Sequence, residues 1–390
     1  MSSKKKSKKN LFIAIGIFCF LYIVLALRPL STELHFSPQW TQSIFKAEKE
    51  GSPVNFYAEN EISAASKNEI NVEENQSENQ SENQTDREKD IFIPFKLGQN
   101  LGYFSPDGKI YSRIAYPFKA AVSENFYCTY GSSNSKTPFF SPDGKFLGNI
   151  EEFGFPFFDK DKIFVFLPGG NSFALCGSDG KKIWTYESYA PITAFASSEN
   201  GIAAGFSDGR IVSLSMDGKI DQNFAPGGSE SEVILGCAIS NDGKKLATVS
   251  GHKRQRFSVA ENSKGHSRII FHEFVPNETK HQVLVKFNED QNLVYYGYKN
   301  GIGIVDLKKL KSRHIEIPGN IVQIEKSSVE NMLFVLSREN STYTVSAIES
   351  PYNKAAQFSF EASCAFIQTR GNELFVGRND KISLMSISRK

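Results

Sequence analysis

This 390-residue sequence lacks the usual marks of redox, metal-dependent and nucleotide-dependent enzymes. Its five cysteines are far apart, so it has no C-x-x-C pair of the kind that binds zinc or exchanges disulfides. It has no P-loop and no H-E-x-x-H motif, and its six histidines follow no metal-ligand spacing. A net charge of +2 does not indicate a nucleic-acid-binding protein. We therefore predict no catalytic or metal-binding residues and no nucleic-acid partner.

Amphipathic helices are also missing from most of the chain. After residue 90 no segment has the 3.6-residue hydrophobic period of a surface helix. Phenylalanine is abundant instead, at 33 residues, and aromatic side chains favour β-strands. This composition predicts an all-β domain over residues 91–390.

One tight turn recurs at a fixed interval in that domain. FSPDGK occupies 104–109 and 140–145, and GSDGKK occupies 177–182, so that Asp107, Asp143 and Asp179 are 36 residues apart. Asp-Gly tolerates positive φ at both central positions of a two-residue type I′ hairpin, which is the turn we predict here. Short alternating strands flank these turns, as in 201–224.

Repeats of about 40 residues made of four short strands are typical of β-propeller blades. We draft blades at 118–150, 155–187, 191–224, 233–286, 283–317, 320–360 and from 362 onwards. The strand pair at 101–114 is left over, and we expect it to close the ring beside 373–387, because closure removes exposed strand edges. The sequence thus predicts a seven-bladed propeller, with eight or six blades as the alternatives.

The N-terminus has the pattern of a membrane anchor. Residues 1–10 form a basic tail with five lysines, and residues 11–27 form an uninterrupted apolar run long enough for a spanning helix. Only Arg28 follows directly, so the positive-inside rule places the N-terminus in the cytoplasm and the rest of the chain outside. A cleaved signal peptide would need small residues at its cleavage site, and a lipoprotein signal would need a small residue before Cys19. We therefore predict a single-pass protein of the cytoplasmic (inner) membrane with an extracytoplasmic or periplasmic domain.

A linker is expected between this anchor and the propeller, over residues 28–90. Its part at 68–90 contains eight acidic and two basic residues and repeats the unit ENQS or ENQT. Such a segment buries too little apolar surface to offset the loss of chain entropy on folding. We predict that it is disordered and extended.

The turns resemble those of the β-propeller superfamily, in its quinoprotein-like and WD40-like forms. SDGKKIWTYE (178–187) is similar to the Gly-Lys-x-x-Trp turn of quinoprotein-type repeats, and FSPDGK is similar to a turn of WD40-like blades. Quinoprotein dehydrogenases of this fold bind a quinone with calcium, often beside two adjacent cysteines. Because no two cysteines are adjacent here, the resemblance implies no cofactor.

Two segments depart from the repeat. Residues 251–268 lengthen the fourth drafted blade and concentrate the basic residues Lys253, Arg254, Arg256, Lys264 and Arg268. Insertions in repeat proteins often form a binding face, so this loop is our candidate site for an anionic partner. Residues 151–158, EEFGFPFF, are an aromatic cluster that either packs between blades or forms a peptide-binding patch.

Taken together, these features predict a non-catalytic module held at a membrane through residues 11–27. It would bind another protein or an envelope component through its loops, because function in propellers depends on loops rather than on the fold. The alternative is a hydrolase or lyase with its site in the propeller channel. Carboxylates or histidines of perturbed pKa converging there would favour that alternative.

Overall fold

Short antiparallel strands joined by tight turns account for most of the chain that the structure describes. The computed structural model describes residues 15–18, 20, 22, 34–45, 91–131, 136–263, 266–327, 332–349 and 352–389. From residue 34 onwards these residues form eight antiparallel sheets, and consecutive sheets pack against each other around a central channel. Each sheet is one blade of a propeller.

The strands run in chain order. Strand β1 (Leu34–Ser43) precedes blade 1, which contains β2 (Ile93–Leu97), β3 (Asn100–Phe104) and β4 (Ile110–Ala115). Blades 2 to 4 contain β5 (Lys119–Val122), β6 (Tyr127–Tyr130), β7 (Thr137–Phe140), β8 (Phe146–Ile150), β9 (Phe155–Asp159), β10 (Lys162–Phe166), β11 (Ser172–Cys176), β12 (Lys182–Glu187), β13 (Ile192–Ser197), β14 (Ile202–Phe206), β15 (Ile211–Leu214) and β16 (Ile220–Phe224).

Blades 5 to 8 follow the same order. They contain β17 (Ile234–Ile239), β18 (Lys245–Ser250), β19 (Arg256–Ser263), β20 (His266–Phe274), β21 (Val285–Phe287), β22 (Leu293–Tyr298), β23 (Gly301–Asp306), β24 (Lys311–Glu316), β25 (Asn320–Lys326), β26 (Leu333–Glu339), β27 (Thr342–Glu349), β28 (Asn353–Glu361), β29 (Ala365–Arg370), β30 (Glu373–Arg378) and β31 (Lys381–Arg389).

The propeller therefore has eight blades, and the prediction of seven is wrong. The leftover pair at 101–114 does not complete the last blade. It belongs to β3 and β4, which pair with β2 in a separate three-stranded sheet. The seven drafted blades and this sheet together make eight. The prediction counted β3 and β4 as half of the last blade, whereas they belong to a separate blade.

Closure of the ring comes from a segment predicted to be linker. Residues 34–43, inside the predicted linker 28–90, form β1 and pair antiparallel with β31, from Leu34 with Arg389 to Ser43 with Lys381. The order β1-β31-β30-β29 makes β1 the outermost strand of blade 8. The N-terminal and C-terminal ends of the propeller thus share one sheet.

Both tryptophans join a blade to the next one. On β1, the Trp40 ring lies against Gly108 in the turn between β3 and β4, so closely that a Cβ on Gly108 would be 3.0 Å from the ring. Trp184 on β12 lies in the same way against Gly218 of blade 4 and donates from Nε1 to the carbonyl of Met216 at 3.0 Å. Each tryptophan is on an outermost strand and contacts the last turn of the following blade. Trp40 therefore makes between blades 8 and 1 the ring-to-glycine contact that Trp184 makes between blades 3 and 4, but without the hydrogen bond from Nε1.

The recurrent turn differs from the predicted type I′ hairpin. At 105–109 the Gly108 amide donates to the Ser105 carbonyl at 2.9 Å, and only the glycine has positive φ, at 90°. A register shift at Phe104 accompanies the turn. This is the arrangement of a three-residue loop with a glycine-containing bulge. The Asp107 carboxylate bonds to the Ser105 hydroxyl, which holds the aspartate at negative φ.

Apolar packing occurs between blades rather than within them. Eight buried clusters exist among the described residues, and each joins two adjacent blades. The cluster between blades 8 and 1 contains Phe95, Phe104 and Phe375. Burial of apolar surface stabilises by roughly 25 cal/mol per Å², so each blade depends on both neighbours.

The predicted membrane helix is not supported. Of residues 11–27, the structure describes only 15–18, 20 and 22, which are helical. No helix in the described part of the chain combines the length and apolar character needed to cross a bilayer, so that prediction is corrected. The acidic tract 68–90 lies outside the described residues.

We predict that W40A destabilises the propeller about as much as W184A, because both changes remove the same inter-blade contact. Loss of a packed tryptophan costs about 3 kcal/mol. The measurement is the midpoint of thermal unfolding. H35A, on the exposed face of β1, is the control and should unfold like the wild type. Equal midpoints for W40A and H35A would contradict the role of Trp40 in closure.

Candidate functional site: the upper face of the ring

The strand order determines which turns share a face of the ring. In the four-stranded blades of continuous chain, the first strand begins on the face where the fourth strand ends. We call this the upper face; it carries the connections between blades and the turns between second and third strands. The lower face carries the other turns.

Exposed aromatic side chains are concentrated on the upper face. Among the described residues this face exposes Phe45, Phe118, Phe153, Phe155, Tyr189 and Phe274. The exposed apolar residues at the lower rim are mainly aliphatic: Leu147, Ile183, Ile220 and Leu310, with the single aromatic Phe146. Aromatic residues are enriched at protein interfaces, because their large rigid rings lose little entropy on binding.

The aromatic segment 151–158 is divided between core and surface. Phe158 is 6% exposed and packs between blades 2 and 3, as one of the two sequence interpretations expected. Phe153, Phe155 and Phe157 are instead 44%, 45% and 42% exposed. Packing between blades therefore explains only part of this segment.

The predicted loop 251–268 is not a single loop. Residues 251–255 connect β18 to β19 on the upper face, and the rest of the segment belongs mainly to β19 and β20. Lys253 and Arg254 are exposed on the upper face. Arg268 lies opposite Glu261 in the β19–β20 ladder, farther along the hairpin towards the lower face. Lys264 lies outside the described residues.

Arg256 has a structural role that the sequence did not reveal. It is half-buried, and its Nη1 donates to the carbonyls of Pro226 at 3.0 Å and Gly227 at 3.4 Å. These bonds attach the start of β19 to the connection from blade 4. Of the four predicted residues that the structure describes, only Lys253 and Arg254 thus form a pair of exposed cations on one face.

Neighbouring connections hold the segment 251–255 in place. The Arg254 amide donates to the Glu278 carboxylate, and the Arg254 guanidinium lies 5.0 Å from the centre of the Phe274 ring. The fully buried Gln255 side chain accepts from the Thr279 amide at 2.9 Å and donates to the Thr279 carbonyl. Arg254 and Phe274 therefore form an ordered cation–aromatic pair on the surface.

A polar cluster joins blades 5 and 6 beside this pair. The Tyr296 hydroxyl donates to Glu273 Oε1 at 2.8 Å and lies 3.0 Å from His314 Nε2, while the Ser312 hydroxyl donates to Glu273 Oε2. Burial alone would raise the pKa of Glu273, but the hydrogen bonds from His314, Ser312 and Tyr296 outweigh it, and the pKa is lower than usual. The cluster thus holds an ionised carboxylate between two blades.

The channel contains one carboxylate of raised pKa among the described residues. Burial raises the pKa of Glu325 on β25, the Lys286 ammonium 3.9 Å away opposes the rise, and the charge of Glu124 adds to it. A carboxyl group with a raised pKa can act as a general acid. This is the observation that favours the catalytic alternative.

A serine in blade 4 has the spacing of a hydrolase nucleophile. Residues 205–209, Gly-Phe-Ser-Asp-Gly, match G-x-S-x-G. In hydrolases this motif lies between a strand and a helix. Ser207 instead lies in the hairpin between β14 and β15, and its amide donates to the Pro191 carbonyl at 2.9 Å. The match therefore does not indicate a hydrolase.

Blade 1 differs from the others on the channel side. Its strands β2 to β4 occupy the second to fourth positions, because the SPDGK turn at 105–109 is the third turn of a blade, as it is in blade 2. No described strand occupies the first position. A cavity of about 470 Å³ lies beside β2 at the lower face, lined by Ile91, Phe92, Ile93, Glu124, Asn125, Pro142, Gln368, Thr369 and Arg370.

Comparison with known proteins agrees with this architecture. A family model described as "beta-propeller protein" matches residues 1–390. The chain belongs to this beta-propeller family. An uncharacterized protein of Treponema pallidum (strain Nichols) is 27% identical over 373 residues, which cover 95% of this chain and 92% of that protein. The resemblance to the β-propeller superfamily, inferred from the turns, is confirmed.

A solved structure shares the fold. The crystal structure of BamB from Moraxella catarrhalis matches with a TM-score of 0.53 and 11% identity, covering 77% of this chain and 94% of the BamB chain. At this identity the match concerns the fold alone.

We predict that E273Q destabilises the propeller by about 1–3 kcal/mol at pH 7, because the amide cannot replace the charge-assisted bonds of the carboxylate. The folded pKa is below the unfolded value of about 4.3. The contribution of the ionised Glu273 carboxylate to the free energy of unfolding is therefore complete above pH 4.3. It is lost as the pH falls through the lower pKa of the folded protein. Denaturant unfolding between pH 7 and pH 3 should show the two proteins converging in acid. E289Q, at an exposed carboxylate, is the control, and a difference between E273Q and wild type that is independent of pH would contradict the prediction.

Proposed function

We propose that this propeller is a non-catalytic scaffold that binds another protein through its upper face. The observation that carries the proposal is the concentration of exposed aromatic side chains on that face, in the connections between blades and at the strand ends beside them. A concentration of exposed apolar side chains on one face of a folded domain indicates an interaction site. Aromatic residues are also the type most often responsible for binding energy in interfaces.

The exposed cations add a preference for an acidic partner. Lys253 and Arg254 lie on the same face, next to Phe274. Positive charge at the rim of an interface accelerates association with a negatively charged surface and makes it sensitive to salt. The catalytic alternative, a hydrolase or lyase acting in the channel, is supported by Glu325 alone among the described carboxylates, so we favour the scaffold.

We further propose that the propeller acts outside the cytoplasm, as a periplasmic or other envelope component. The support is in the sequence: five lysines precede the apolar run 11–27 and a single Arg28 follows it directly. A basic segment followed by an apolar one is typical of chains directed to export.

The scaffold proposal predicts loss of the partner when upper-face aromatics are removed. The triple variant F118S/Y189S/F274S should retain less than a tenth of the proteins that co-purify with the tagged wild-type chain from its native host, quantified by mass spectrometry. The matched control is F146S/I183S/I220S, which removes three exposed apolar side chains from the lower rim. Both variants should unfold near the wild-type temperature, because the changed side chains are exposed.

Two results bear directly on the proposal. Equal loss of partners from both triple variants, or from neither, would contradict an upper-face interface. In the same experiment K253S/R254S should reduce the yield of the partner at 150 mM salt more than at 500 mM salt, because added salt already weakens the attraction in the wild type. Arg256 is left unchanged, since its bonds to residues 226 and 227 support the fold.

The proposed location is tested by fusing a reporter to Lys390. Alkaline phosphatase requires export to form its disulfides, so a fusion to the full chain should be active, whereas a cytoplasm-dependent β-galactosidase fusion should not. The reverse pattern would contradict an extracytoplasmic propeller. The control is the same pair of fusions to a chain lacking residues 1–27.

A further inference from the structure

The upper mouth of the channel at blades 2 to 4 carries aromatic side chains that remain exposed beside the buried clusters. We call it the mouth cluster: Lys119, Phe153, Phe155 and Phe157. Phe155 and Phe157 lie on β9, the first strand of blade 3, and they alternate with the buried residues Pro156 and Phe158. Side chains two apart in a strand are about 6.6 Å apart along it. Alternate side chains of another extended chain have the same spacing.

The contacts of the mouth cluster extend over three blades. Phe155 is 6.4 Å from the Tyr130 ring of blade 2, centre to centre, and the Lys119 ammonium lies 4.6 Å from the centre of the Phe155 ring. Phe157 meets Phe195 of blade 4 edge-to-face at 5.8 Å. Together these rings form an apolar wall from the rim of the upper face into the channel.

Lys119 supplies a charge that is not neutralised. No carboxylate contact to its ammonium occurs among the described residues, whereas the ammonium of Lys136, also on the upper face, is paired with Glu151. A cation over an aromatic ring remains able to bind an anion on its other side. An occupant of this surface would therefore gain from an acidic group next to its apolar side chains.

We infer that the mouth cluster binds an extended peptide segment of a partner protein, with apolar side chains at alternate positions and a carboxylate that reaches Lys119. The inference rests on the proposed scaffold function and specifies where and what it binds. An extended segment can enter the channel mouth and follow β9, and pockets for alternate side chains are how extended peptides are selected. A flat membrane surface or the face of a second propeller would contact the rim but could not reach Phe157 on the inner strand.

The test uses the full 390-residue chain and a defined probe. The probe is a fluorescein-labelled nonapeptide in which leucine alternates with serine and the last two residues are aspartate. We expect saturable binding by fluorescence anisotropy and at least tenfold weaker binding to F155S and to F153S. F146S is the matched control, since Phe146 is 54% exposed but lies at the lower rim; it should bind the probe like the wild type. A peptide of the same composition with contiguous leucines should bind at least tenfold more weakly.

A variant with the opposite charge at Lys119 tests the inference independently, in case an aromatic variant folds poorly. K119E should lose the aspartate peptide and gain affinity for a peptide ending in two lysines, which the wild type binds weakly. The inference is overturned if the wild type binds no probe, if F146S loses as much affinity as F155S, or if K119E does not exchange its preference. None of the residues Phe118, Tyr189 and Phe274 belongs to the mouth cluster. If F118S/Y189S/F274S loses the native partner while the peptide tests fail, the scaffold proposal is still supported and only the mouth-cluster inference is wrong.

Discussion

The ring depends on the pairing of its first strand with its last. β1 adds the outermost strand to blade 8, and its two faces reach both neighbouring blades: Phe36 meets Phe334 and Phe358 of blade 7, and Trp40 covers the turn at Gly108 of blade 1. Because every buried cluster joins two blades, a ring without this closure would expose two apolar blade faces. Closure also covers one edge of β31, which would otherwise be open to aggregation. The N-terminal strand is therefore as much a part of the propeller as any blade.

A closed ring gives the upper face its binding properties. Hydrogen bonds from neighbouring turns and strands hold the connections between blades, as shown by Gln255 with Thr279 and by Arg256 with Pro226. Side chains on such connections lose little conformational entropy on binding, because the backbone that carries them is already ordered. The exposed rings of Tyr189 and Phe274 and the cations at Lys253 and Arg254 are thus presented by a rigid frame. The mouth cluster extends the same surface into the channel.

Much of the blade pattern was predictable from local sequence. The drafts 155–187 and 191–224 agree with blades 3 and 4, because Asp-Gly turns and alternating apolar residues act over a few residues. The extra blade was missed because its strands occupy only 93–115 and its first position holds no described strand, so only three of the usual four strands contribute to its sequence pattern. The structure brings together only part of the predicted basic segment: Lys253 and Arg254 lie together on one face, whereas Arg256 supports the fold and Arg268 lies along another strand.

The sequence alone determined the repeat, the positions of the turns and the family, since each follows from the spacing of Asp-Gly pairs and of apolar residues along the chain. Only the tertiary structure decided how the ring closes, because β1 and β31 are more than 330 residues apart and no local pattern pairs them. It also decided which phenylalanines are exposed. Phe157 and Phe158 are identical and adjacent, and strand alternation turns one toward the core between blades 2 and 3 and leaves the other accessible at the channel. That difference depends on where the neighbouring blades lie, which no stretch of sequence contains.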